Sequence, residues 1–168
     1  MRIRVHRTDG KTGNYSQEDH RRAVLLAKRF DPAKLFRSGP IVIGVHNPFS
    51  IIHPDEICWI AVETDLVLPG ALPKNIERLR CLRDIEEYKA LLARQWPGWM
   101  QFRKGKKGDP LEALIELSLR SGESIYLHVI GAVGDINLVE EIFGVPAITA
   151  SIGVPGHIYI NPKAIVRA

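Results

Sequence analysis

Residues 96–107 read Trp-Pro-Gly-Trp-Met-Gln-Phe-Arg-Lys-Gly-Lys-Lys, which sets three aromatic rings beside four cations. Every nucleobase has a face that stacks on an aromatic ring, and lysine and arginine pair with phosphates. Trp96 and Trp99 are therefore candidates for base stacking. Arg103, Lys104, Lys106 and Lys107 are candidates for backbone contacts, joined by Arg21 and Arg22 from an earlier basic stretch. Tryptophan is also a highly buried residue type on average. The same rings can equally pack against a sheet or against a second copy of the chain.

Two glycine-containing stretches invite a phosphate-binding reading and fit it poorly. Gly10-Lys11-Thr12-Gly13 has Val5 where a nucleoside-triphosphatase loop needs its leading glycine, and a surface loop is the simpler expectation. Gly131-Ala132-Val133-Gly134-Asp135 lacks the third glycine of the dinucleotide fingerprint, and a tight turn with positive φ accounts for both glycines.

The histidines carry the second chemistry. His46, His128 and His157 fall in or beside strand-like runs, and His53 opens His-Pro-Asp-Glu, which brings Asp55 and Glu56 close in sequence. An imidazole titrating near neutrality suits acid–base work, and carboxylates complete such a site. If these residues converge, the chain is an enzyme of nuclease or phosphotransferase type. No two histidines have metal-motif spacing, so no metal and no cofactor is expected. Cys58 and Cys81 form no Cys-x-x-Cys pair, and both are expected reduced within apolar runs.

Charge patterning favours the nucleic-acid reading. The net charge is +4 over 168 residues, but residues 1–39 carry +6 and residues 77–107 carry +5, with acidic stretches between and after them. Two basic segments that meet in space would attract polyanions.

The elements that must position these residues follow from periodicity and caps. Residues 2–6 alternate like a half-buried strand. Residues 8–15 read as a loop, with Ser16 as the cap of a helix over residues 16–30. Asp31-Pro32 begins a second short helix. Residues 41–45, 57–62 and 125–130 are apolar on both faces, as interior strands of one sheet would be. Residues 78–81 suit an edge strand. Asp84 and Glu87 form a capping box for a helix ended by Trp96-Pro97-Gly98. Asp109-Pro110 begins another helix closed by Gly122, and Asp135 caps a short one ending at Gly144. Residues 147–152 and 157–160 form a hairpin. Residues 103–108 resemble a linker.

The fold expected is α+β, a mixed β-sheet with several short flanking helices in a single domain over residues 1–168. Residues 1–10 are basic without a following apolar stretch, and no run is long enough to span a bilayer, so a cytoplasmic, membrane-free protein is expected. The leading function is binding of RNA or single-stranded DNA. The alternatives are the His/carboxylate enzyme, or an oligomeric scaffold using Trp96 and Trp99.

Overall fold

The structure, a computed structural model, describes residues 1–37, 39–43, 50–99, 106–134 and 138–168, the side chains of residues 95–99 excepted. His46, Arg103, Lys104 and Asp135, together with the side chains of Trp96 and Trp99, lie outside the described residues.

β1 (Arg2–Arg7) and β2 (Thr12–Ser16) form a hairpin. Its turn contains Gly10 at φ +80°, where a side chain would be strained. The expected 8–15 loop is thus half strand, and Ser16 ends β2 instead of capping a helix. The cap is Asp19, whose Oδ1 accepts from Arg22 N at 2.9 Å, and α1 runs His20–Ala27. Asp31 also caps, accepting from Ala33 N, but only successive turns follow and no second helix propagates.

β3 (Ile41–Ile43) pairs with β4 (Ser50–Ile52) in a separate two-stranded ladder. Residues 41–43 are therefore not an interior strand of the main sheet. Val42 is exposed and Ile43 buried, which marks a strand covered on one face only. β5 (Ile57–Glu63) is buried along six of its seven residues, as its apolar run requires. β6 (Ile76–Cys81) is not an edge, because it lies between two other strands.

α2 (Ile85–Trp99) has the expected capping box. Glu87 N donates to Asp84 Oδ1 at 2.9 Å, and Arg83 N donates to Glu87 Oε2 at 2.8 Å. The helix runs through Pro97-Gly98 to Trp99 instead of stopping at residue 96.

The segment after Asp109 is a strand, β7 (Pro110–Leu119), paired residue for residue with β8 (Ser124–Ala132). The cap-like Asp-Pro-Leu-Glu is overridden by period-two alternation. Ala113, Ile115, Leu117 and Leu119 all pack into one core, which a helix would scatter around its axis. Gly122, at φ +85°, belongs to the hairpin turn between them. α3 (Leu138–Phe143) precedes β9 (Ile148–Ser151) and β10 (Gly156–Ile160), the expected hairpin. A 3-10 turn, Pro162–Ala164, leads to β11 (Ile165–Arg167).

The sheet dominates: among the described residues it has nine strands in the order β11-β7-β8-β6-β9-β10-β5-β1-β2, with β6 parallel to β9 and the other pairings antiparallel. The mixed α+β character stands. The several flanking helices reduce to α1, α2 and α3 among the described residues.

The sheet must curl. Glu123, the residue before β8, accepts from Trp59 Nε1 of β5 at 2.8 Å. In a flat sheet four strand spacings would separate β8 from β5 by roughly 19 Å. One core fills the concave side, with Leu117, Leu127, Val129, Cys58, Ile148 and Ile160. The other lies under α1 and the following turns, with Val5, Leu26, Phe30, Ile60 and Tyr159. Asn161 fastens the crossover from β10. Its Nδ2 donates to Pro54 O and Ile57 O, each at 3.0 Å, and its Oδ1 accepts from Lys163 N at 3.1 Å.

Candidate functional site

α1 buries Ala23, Leu26 and Ala27, so its opposite side faces water. That side carries Arg21, Arg22 and Leu25, continued by Lys28 and Arg29 at the next turn. Residues at these spacings share one helix face. Leu25 stands 63% exposed at its centre. Among the described residues none of the four cations has an acidic partner. Arg21 and Arg22 occupy the first turn, which holds no acidic side chain. Cations there face the positive end of the helix dipole, an unfavourable placement that an approaching anion would offset.

Many other basic residues are neutralised. Arg2 and Arg4 share Glu63 at 2.8 and 3.2 Å, and Arg7 meets Glu56 at 3.1 Å. Arg80 pairs with Glu87 at 2.9 Å, Arg83 with Asp84 at 3.1 Å, and Lys89 with Glu86 at 3.0 Å. The Gly10-Lys11-Thr12-Gly13 turn closes on itself, with Asp9 accepting from Lys11 N at 3.1 Å. That bond, above all, holds the Asp9 carboxyl below its ordinary range. A turn with its own carboxylate is a poor phosphate cradle. Gly131 and Gly134 lack positive φ. Gly131 is needed because a Cβ there would collide with the Asn75 backbone, whereas at Gly134 a Cβ would meet only the side-chain ends of Asn75 and Glu141, so close packing replaces the expected positive-φ turn at Gly131.

The two basic segments meet at the mouth of the curled sheet. A cavity of about 910 Å³ there is lined by Arg4, Arg80, Glu63, Glu87, Glu123 and Trp59, among others. His6 stacks on Trp59 at 5.2 Å. Its Nε2 is buried 3.2 Å from Glu123 Oε2 but lacks hydrogen-bond geometry toward it, while Nδ1 bonds Thr12 Oγ1 at 2.9 Å. Burial first, then Glu123 and Glu87, push the Cys81 thiol up to about 11. It is therefore a protonated thiol at neutral pH and no nucleophile. His6, Trp59 and Glu123 come from three distant stretches of chain, and no sequence spacing signals their meeting.

The described sequence candidates for catalysis stand apart from one another. His53 caps the 3-10 turn Pro54–Glu56, with Nδ1 3.5 Å from Asp55 Oδ2, while Glu56 turns to Arg7. His128 Nε2 lies 2.6 Å from Glu112 Oε1 across β7 and β8. His157 stands on β10, edge-on to Tyr159 at 6.1 Å. Among the described candidates only His53 and Asp55 are brought together, and they are neighbours in sequence. Lys106 and Lys107 are exposed ahead of β7.

Among the described residues no three His, Cys, Asp or Glu side chains gather as a metal-holding group, and no helix is long and apolar enough to cross a membrane. Compared with known proteins, the chain matches no family model, no curated protein and no solved structure.

Proposed function

We propose that the chain binds a nucleic-acid backbone, RNA or single-stranded DNA, through the outward face of α1. The observation that carries this reading is the group Arg21, Arg22, Lys28 and Arg29. These cations share one face without acidic partners, whereas the cations around the cavity mouth are paired. Exposed Leu25 gives that face an apolar centre on which a base or sugar can rest. In this reading the run 96–107 is a second contact, with Trp96 and Trp99 stacking on bases and Arg103, Lys104, Lys106 and Lys107 meeting phosphates. His53 and His128 each meet a different carboxylate and His157 stands on another strand, which supports a binder over a His/carboxylate hydrolase.

The test is fluorescence anisotropy of a labelled mixed-sequence oligonucleotide at low salt. Replacing Arg21, Arg22, Lys28 and Arg29 together by Gln should weaken binding by at least about tenfold while the folded spectrum is kept. Equal affinity in that variant, or no binding by the native chain, would refute the reading.

A further inference from the structure

Among the described residues, two buried polar atoms on one face of adjacent strands have no hydrogen-bond partner. Thr149, only 4% exposed, leaves its Oγ1 unbonded, and His157 leaves Nδ1 unbonded. The β9–β10 register pairs Ser151 with His157 and Thr149 with Tyr159. Thr149 and His157 are thus diagonal neighbours with side chains on the same side. That side is opposite the core that takes Ile148 and Ala150. On the other flank β6 meets β9 in parallel at Arg80 and Ser151, and Arg78 lines the same cavity as Thr149. Arg78 has no acidic partner among the described residues.

Residues 68–72 cross over this face. Tyr159 holds that strap by donating to Pro69 O at 2.8 Å. Beneath the strap is a cavity of about 560 Å³, lined by Thr149, His157, Arg78 and Glu77 together with Leu68 and Leu72. Pockets for small molecules span roughly 300–1,000 Å³. Gly70 faces the two polar side chains from above, and a Cβ there would come within 3.2 Å of the His157 ring.

The geometry points to a binding site for a small polyhydroxylated carboxylate of sugar-acid size, its carboxylate on Arg78 and a hydroxyl on Thr149 and His157. Burial lowers the His157 pKa, so the ring is neutral at pH 7 and carries one donor and one acceptor nitrogen. A ligand hydroxyl both donates and accepts, and so satisfies Nδ1 in either tautomer and Thr149 Oγ1 with it. A buried hydroxyl left unbonded is costly. Both residues line the cavity, and the missing partner of each atom has to come from outside the described side chains.

The experiment follows the His157 ring by nitrogen–proton correlation spectra during titration with gluconate, glucose or hexanoate. Gluconate should shift the ring signals saturably. Glucose, without the charge, and hexanoate, without hydroxyls, should each bind at least about tenfold more weakly. Thr149→Val removes the hydroxyl at constant shape. It should weaken gluconate binding by about tenfold or more, yet leave the melting temperature of the free protein unchanged or raised, since no internal bond is lost. Arg78→Gln should erase the preference for gluconate over glucose. A His157 signal unmoved by all three compounds would overturn the proposal. So would a Thr149→Val variant that melts lower and binds gluconate as the native chain does, because the hydroxyl would then serve the fold alone.

Discussion

Replacing Asn161 by Ala should unfold the protein more readily than any surface change. Asn161 is 1% exposed and joins the end of β10 to the backbone entering β5. The substitution removes three side-chain hydrogen bonds, each worth about 1 kcal/mol net. It also deprives the buried Ile57 carbonyl of the amide and leaves the Pro54 carbonyl with only the Ile57 N–H, so the expected loss is about 3–5 kcal/mol. At this chain length each kcal/mol moves the melting point by about 2–4 °C, which predicts a fall of about 6–20 °C. Chemical denaturation with tryptophan emission as the probe measures the loss directly. Asn161→Asp keeps the volume and removes the donors. At neutral pH it sets a carboxylate against two carbonyl oxygens, and should be at least as damaging. A loss below about 1 kcal/mol in both variants would refute the view that this residue clasps the curled sheet.

Cys81 should resist iodoacetamide at mildly alkaline pH, because its thiol is pushed up to about 11 from 9.0. Native alkylation, followed by mass spectrometry, should be about a hundredfold slower than in denaturant. Glu123→Ala should cost about 1 kcal/mol, the Trp59 hydrogen bond being discounted for the half-exposed carboxylate, and should change Trp59 emission. His157 sits below its ordinary value of 6.5 because it is buried, with Glu77 and Arg78 the charged groups lining the same cavity. The unfolded chain takes up this proton first as pH falls, so His157 contributes stability above about pH 6.5 that is lost toward its lower folded pKa. His157→Gln should therefore flatten the acid limb of the pH–stability curve just below that pH.

The strands best legible in the sequence are those whose burial leaves no alternative period. β5 is apolar on both faces, and the β9–β10 hairpin is announced by Gly153-Val154-Pro155-Gly156. Residues 110–119 mislead because Asp109, Pro110 and Glu112 imitate a helix start, while the alternation that decides the matter is carried by Ala113 to Leu119. The order of strands, and with it the meeting of His6, Trp59 and Glu123, depends on contacts between distant residues that no local pattern encodes. The α1 face is readable, since Arg21, Arg22, Lys28 and Arg29 fall opposite Ala23, Leu26 and Ala27. His157 stands out by residue type. Thr149 does so only once the hairpin register is known, because threonine is ordinary in strands and its missing partner is a fact of packing.

The measurement that bears most directly on nucleic-acid binding is the salt dependence of oligonucleotide affinity for the native chain and the Arg21, Arg22, Lys28, Arg29 to Gln variant. Each phosphate neutralised on a single strand contributes a log–log slope of about −0.7. Four cations acting together predict a native slope steeper than the variant's by roughly 2.8. Extending the titration to Lys104, Lys106 and Lys107 replaced by Ala apportions what remains to the second segment. A native slope near that difference or beyond it, lost in the α1 variant, is the predicted result. A slope indifferent to the α1 cations, at any affinity, would contradict the assignment of α1 as the nucleic-acid face.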